Sequence, residues 1–310
     1  MAYSSAEISA ADLALSAADK PILAGITSMV SGATGQWIEA STGTWASADD
    51  TDEDYPFTNI IDGLTHTQSR PGTIGADMGM VFNFGSDGIE FDFMVYRNHT
   101  LDSNACTALV VQIADDSAFS TNLISLTSIN VSTLLSSDRR FSVMSLYHTG
   151  ATALRYSGVQ WVRIQFTFSG AVIPRIGDIQ FCRRRQWKWN PNVNDGYDPD
   201  ETTGDVVRYV SGSGVKRDTV FHAGARVLNF TWTPNATAQH TDLNDFSEDT
   251  GFMARPFVYI DQPTTAPNNA QLFSPDNPGK FAMPYVNWQA RKFNISGTEQ
   301  GPHFLKSSVL

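Results

Sequence analysis

Gln160–Phe168, QWVRIQFTF, places Val162, Ile164, Phe166 and Phe168 on one side of an extended chain and Trp161, Arg163, Gln165 and Thr167 on the other. A period of two marks a strand with one face in a core and one face away from it. The same alternation runs outward through neighbouring segments. In Met80–Gly85 (MVFNFG), Met80, Phe82 and Phe84 share a face. In Ile89–Tyr96 (IEFDFMVY), Ile89, Phe91, Phe93 and Val95 alternate with Glu90, Asp92, Met94 and Tyr96. In ALVVQIAD, Leu109, Val111 and Ile113 fall together. Turn-rich links such as ADDSAFSTN and SSDRR separate these runs, so half-buried antiparallel strands in a sandwich or barrel are expected. Trp161, off the apolar face of its strand, is expected as a surface or interlayer ring.

A chain of 310 residues exceeds the usual size of one core, so two domains are expected. Residues 1–35 read as an N-terminal arm with a short helix in ADLALSAADKPI, and 36–182 as the first β domain. The break falls at Arg183, where RRRQWKWNPNVNDGYDPDETTGD turns from basic and aromatic to Asn, Asp, Pro and Gly. Beyond it, 183–310 is β-rich again. RVLNFTWT and RPFVYID have strand character, and a short helix through Leu243, Phe246 and Met253 lies between them. A long Pro- and Asn-rich loop at 262–280 and a final strand from Tyr285 to Ile295 complete the domain.

The formal charge of −11 argues against a nucleic-acid binder, which neutralises phosphates with Lys and Arg. No apolar run approaches the about 18 residues of a membrane helix, and the first residues lack the basic and apolar regions of a secretory signal. Cys106 and Cys182 are expected as buried, unpaired thiols. The six histidines show no metal-ligand spacing, no nucleophile elbow occurs, and SGSGVK at 211–216 reads as a hairpin loop rather than a phosphate cradle. The acids Asp49, Asp50, Asp52, Glu53 and Asp54 form a solvated loop or, as the one candidate for a bound ion, a calcium site. Arg183, Arg184 and Arg185 beside Trp187 and Trp189 combine the residue types of protein–protein hot spots, so this strip is expected as a subunit contact.

PFTNIIDGLTHTQSR, followed by MVFNFGSDGIEFDFMVYRNHT, resembles the galactose-binding-like (discoidin) jelly roll. The likeness is carried by Asn59, Asp62 and Gly63 in a turn, Val81, Phe82 and Gly85 at a strand end, and Arg97, Asn98 and His99 in a loop. The tryptophan that this family shows after the turn is replaced by Thr65–Arg70. The resemblance implies a glycan site built from Trp45, Arg70, Arg97 and His99. In the bland reading of the turn, Asp62 caps it and Gly63 takes a positive φ. PRIGDIQFCRRRQWKWNPNVNDGYDP (Pro174–Pro199) is similar to a stretch in the tail-tip proteins of tailed bacteriophages, and the element order beyond it to that of distal tail proteins. That resemblance implies a virion structural protein of the tail tip or baseplate, made in the host cytoplasm. It would form a ring, hexameric in the family, and contact the tail tube and baseplate hub proteins.

The expectation is therefore an all-β, non-enzymatic protein: a jelly-roll sandwich followed by a ring-forming β-barrel or β-sandwich with one short helix. A carbohydrate-binding protein recognising a host surface glycan is the alternative. A glycoside hydrolase, which needs two carboxyls about 5–10 Å apart, is a third reading.

Overall fold

The computed structural model describes residues 2–8, 10–28, 32–41, 44–45, 48–62, 67–101, 106–128, 142–148, 154–186, 202–203, 206–210, 216–220, 225–232, 237–265, 271–276, 285–287, 290–291 and 293–299. The chain divides into two compact units, Met1–Lys188 with Ile260–Ala270, and Trp189–Tyr259 with Gln271–Leu310.

The first unit contains β1 (Ser4–Glu7), α1 (Ala10–Ala17), β2 (Ile22–Ile26), β3 (Thr34–Ser41), β4 (Thr44–Trp45), the single-turn α2 (Thr58–Ile61) and β5 (Gly75–Asn83). There follow β6 (Ile89–Phe91), β7 (Phe93–Arg97), β8 (Cys106–Ala114), β9 (Ile124–Ser128), β10 (Ser142–His148), β11 (Leu154–Val159), β12 (Trp161–Val172) and β13 (Asp178–Gln186). One layer runs β9-β8-β12-β5-β3-β4 and the other β2-β13-β7-β10, with the three-stranded β1-β11-β6 as a separate sheet. β10 turns the corner between layers: Ser142–Ser145 pair with β7 and Leu146–His148 with β9. All registered pairings in this unit are antiparallel, so it is the all-β sandwich that the alternation requires.

Alternation translates directly into burial along β12, where Val162, Ile164, Phe166 and Phe168 are buried and the residues between them are not. Their side meets Met80 and Phe82 from β5 and Val111 and Ile113 from β8; the facing layer contributes Met94, Tyr96, Ile179 and Phe181, and the three-stranded sheet contributes Phe91. Phe181 stands edge-on to Phe82, Phe84 and Phe91 with centroids 5.3, 5.1 and 5.2 Å away, the geometry that ring quadrupoles favour. PFTNIIDG becomes α2, which drops Phe57 and Ile60 into this core. Asn59 Nδ2 then donates to the Gln68 carbonyl (2.8 Å), and Thr67 Oγ1 donates to Asp62 Oδ2 (3.0 Å). Gly63 lies outside the described residues.

One expectation for this unit is corrected. Ile89–Tyr96 is not one strand. The chain bends at Asp92, passing from the sheet of β11 to the sheet of β13, and the alternation changes phase there. Ile89 and Phe91 reach the core before the bend and Met94 and Tyr96 after it, while Phe93 and Val95 are buried on the opposite face. The N-terminal stretch, expected as an arm, orders against this unit's own strands. β1 pairs with β11, and β2 pairs with β13 from Ile22↔Gln186 to Ile26↔Cys182. Asp19 Oδ1 accepts the Thr264 and Thr265 amides, both at 2.9 Å, so the returning segment 260–270 is tied to the same unit. Cys106 and Cys182 are buried free thiols.

The second unit contains β14 (Thr202–Thr203), β15 (Val206–Val210), β16 (Lys216–Val220), β17 (Ala225–Trp232), α3 (Thr237–Asp249), β18 (Phe257–Ile260), β19 (Gln271–Pro275), β20 (Tyr285–Asn287), β21 (Ala290–Arg291) and β22 (Phe293–Glu299). Its sheet runs β14-β17-β22-β19-β18, and β15–β16 and β20–β21 are hairpins. Leu243 and Phe246 of α3 are buried, and Phe246 meets Phe257 edge-on at 5.5 Å. Phe257 in turn stacks near Phe273 at 6.0 Å. The helix starts earlier than expected and leaves Met253 in the following turn. The stretch 262–280, expected as loop, contains β19, whose Leu272 and Phe273 have core partners. The expected strand Tyr285–Ile295 is divided between β20, β21 and the start of β22. Among the described residues no helix is long and apolar enough to cross a membrane.

Candidate ligand-binding groove

The side of the β9-β8-β12-β5-β3 layer that faces away from the core carries a row set by strand register. Gln36 opposes Val81, Val81 opposes Arg163, Arg163 opposes Gln112, and Gln112 opposes Ser125. The next row holds Thr34, Asn83, Trp161 and Ala114. Residues two apart on a strand point the same way, so Trp161 and Arg163 stand side by side. Around them lies a groove of about 710 Å³, within the size range of small-molecule sites. β3, β5 and β12 form its floor, and Ser117, Ala118 and Phe119 of the β8–β9 connection form a wall. Gly35 lets β3 approach this closely, because a Cβ there would lie 2.1 Å from the Phe57 ring.

The floor is held rigidly. Arg163 Nε and Nη2 both donate to Gln112 Oε1, at 2.9 and 2.7 Å, and Gln112 Nε2 donates to Ser125 Oγ at 3.1 Å. This chain of bonds sets which way the Gln112 amide points. The Arg163 guanidinium carbon lies 4.3 Å from the Phe119 ring centroid, and burial lowers its pKa from the ordinary value. Phe119 itself is buried although its φ is +52°, a conformation unusual for a bulky residue. Asp116 holds the loop by accepting the amides of Ala118 (2.9 Å), Ser120 (3.2 Å) and Thr121 (2.5 Å). Hydrogen bonding, first from the Thr121 side chain, pulls its carboxyl down to about 2.

The groove therefore offers an indole face beside a guanidinium, the side-chain amides of Gln36 and Asn83, and the hydroxyls of Thr34 and Ser117. Among the described residues no carboxylate, histidine or cysteine lines it. Such a lining binds and orients a polar ligand with an apolar face, but it holds no acid–base pair or activated nucleophile.

Two of the four residues expected from sequence to form a glycan site are withdrawn from the surface. Arg97 is 1% exposed and His99 fully buried; Arg97 forms an ion pair with the equally buried Asp178. Both are interior residues, which corrects their expected role as surface ligands. Arg70 is partly exposed but pairs with Asp52 at 2.8 Å and lies over the Tyr55 ring at 4.2 Å. Trp45 lies on β4 opposite Ala40, and its side chain is outside the described residues.

The expected contact strip is corrected in a similar way. Arg184 and Arg185 are buried, and Arg184 donates to Asp92 through its backbone N (3.2 Å) and its Nε (3.4 Å). Arg155 Nη2 reaches Asp92 at 3.1 Å, and Arg183 Nε lies 3.1 Å from Glu90 Oε1 as a charge contact. Arg183 and Arg184 meet acids of their own unit, and Arg185 is buried in it; Trp187 and Trp189 lie outside the described residues.

The acids proposed for calcium do not share a centre either. Asp49 accepts the Thr51 amide, Asp50 bonds Thr73, and Asp52 takes Arg70 and the Asp54 amide. No cluster of acid, His or Cys side chains suited to a metal occurs among the described residues. The groove itself was announced in the sequence only by Trp161, off the apolar face. Its partners come from strands far apart in the chain and carry no local signal.

No protein-family model matches the chain, and no curated protein does. Among solved structures it is similar to chitosan-binding module 1 from a chitosanase/glucanase of Paenibacillus sp. IK-5, with 14% identity over 51% of this chain and 98% of that one (TM-score 0.32). It is similar to CBM32-6 of GH89 produced by Clostridium perfringens, with 14% identity over 50% and 97% (TM-score 0.30). A third is the CBM32 of AlyQ in complex with 4,5-unsaturated mannuronic acid, with 17% identity over 49% and 94% (TM-score 0.32).

Proposed function

We propose that this chain is a non-catalytic carbohydrate-binding protein whose first unit takes a sugar in the groove over β3, β5 and β12. The observation that carries this is the placement of Trp161 beside Arg163 among amides and hydroxyls, with no carboxylate among the described lining residues. A sugar ring presents one face of C–H groups, which packs on an indole, and a rim of hydroxyls, which planar amides and a guanidinium bond in pairs. Hydrolysis of a glycoside typically uses two carboxyls flanking the bond, and the described residues of the lining supply none. One cation and no anion among the described lining residues favour neutral or acidic sugars over amino sugars.

The tail-tip ring was expected to use the strip from Arg183 to Trp189 as its subunit contact. The three arginines of that strip engage Glu90 and Asp92 or are buried within the unit, so recognition of a glycan, rather than ring assembly, is the reading that the geometry favours.

The test is a glycan array followed by calorimetry on the best binder. Trp161→Ala should weaken binding by about 30-fold or more, as loss of an aromatic hot spot does, with melting unchanged. Undiminished binding by that variant, or release of reducing ends from the glycan, overturns the proposal.

A further inference from the structure

The wall of the groove is fastened by a residue that does not line it. Tyr3, next to β1, donates its backbone N–H to Asp115 Oδ1 at 3.0 Å and its hydroxyl to the Asn122 carbonyl at 2.5 Å. Asp115 and Asn122 are the two ends of the β8–β9 connection. They are joined to each other as well, Asn122 Nδ2 to Asp115 Oδ2 at 2.5 Å, and the Asp115 amide donates to the Thr121 carbonyl at 3.2 Å. The Tyr3 ring packs edge-on against Tyr156 with centroids 6.4 Å apart, and the four pairs of β1 with β11 hold the segment in register. Between the clamped ends, Phe119 has a φ of +52°, a conformation that a bulky residue keeps only where the surroundings impose it, and Asn122, at one end, has a φ of +53°.

We infer that Tyr3 is a positioning residue for the groove: the N-terminal segment is a strap that fixes the 115–122 wall, and so sets ligand affinity without touching ligand. The inference rests on the proposed sugar-binding role of that groove. Its structural half, the strap, is measurable without any ligand.

The experiment uses the full chain with Tyr3→Phe, which keeps the ring and removes only the hydroxyl, and Tyr3→Ala. Amide hydrogen exchange is followed at 117–121, with the β12 amides as an internal control for folding. Loss of the one hydroxyl bond should speed exchange in the wall about threefold, and loss of the whole side chain about tenfold, while β12 stays unchanged. Affinity for the array-selected glycan should fall about threefold and about tenfold in parallel. Unaltered wall exchange in both variants overturns the inference, and so does a loosened wall with unaltered affinity. A loosened wall in a chain whose unsubstituted form binds no sugar supports the strap and removes only the carbohydrate reading.

Discussion

The Arg163 guanidinium joins two parts of the first unit: it donates twice to the Gln112 amide in the sheet and lies 4.3 Å from the centre of the Phe119 ring in the wall. A planar, forked cation does both at once, which an ammonium cannot. Arg163→Lys is therefore expected to keep the charge but lose the paired bonds and the stack. Affinity for the glycan should fall by about tenfold, with a stability loss of about 1 kcal/mol or less. Calorimetry together with thermal melting checks this, and full affinity in the lysine variant would contradict the assigned geometry.

Phe119 combines a buried ring with a positive φ, and two substitutions separate these features. Phe119→Ala and Phe119→Gly both remove the ring, but only glycine adopts this backbone without strain. The glycine variant should be the more stable of the two by about 0.5–1 kcal/mol, reversing the usual order outside turns. Urea denaturation of the pair decides it; a more stable alanine variant would count against the conformation at 119.

Arg97 and Asp178 form an ion pair with almost no solvent exposure, and Gln180 Nε2 donates to Asp178 Oδ1 at 2.6 Å. Arg97→Met strands the carboxylate in the interior and should cost about 3–5 kcal/mol. The double variant Arg97→Met with Asp178→Asn should recover much of that loss, because no buried charge remains without its partner. Arg70→Ala, at a half-exposed pair, should leave the denaturation midpoint nearly unchanged. A mild Arg97→Met variant would show that the pair is less isolated from water than its burial indicates.

Asp116 gives the wall a dependence on acid. Its pKa in the folded chain is about 2, below the ordinary 3.8, because the Thr121 side chain and the Ser120 and Thr121 amides bond its ionised form. For a carboxyl lowered on folding, the stabilisation is fully present above the ordinary value and is lost as pH falls through the folded one. Amide shifts of 118–121 followed by NMR should stay nearly constant down to pH about 3 and then change with a midpoint at about 2. A midpoint at the ordinary carboxylate value would remove Asp116 as the anchor of the loop.

Much of the fold was legible because the strand period is local. Val162, Ile164, Phe166 and Phe168 announce their shared face within seven residues, and the structure buries all four. Phase is where local reading failed. Nothing in Ile89–Tyr96 signals the bend at Asp92, since the bend depends on which sheets the two halves join.

What the sequence determined by itself is the alternation of β5, β8 and β12, the inward faces of those strands and the exclusion of Trp161 from the core. Only the tertiary structure decided that Arg184 would meet Asp92, that Arg97 would be interior, and that Tyr3 would clamp the wall beside Trp161. The physical reason is range. Alternation needs only neighbours along the chain, whereas charge pairing and groove formation depend on strand order, which brings Gln36, Val81 and Arg163 into one row.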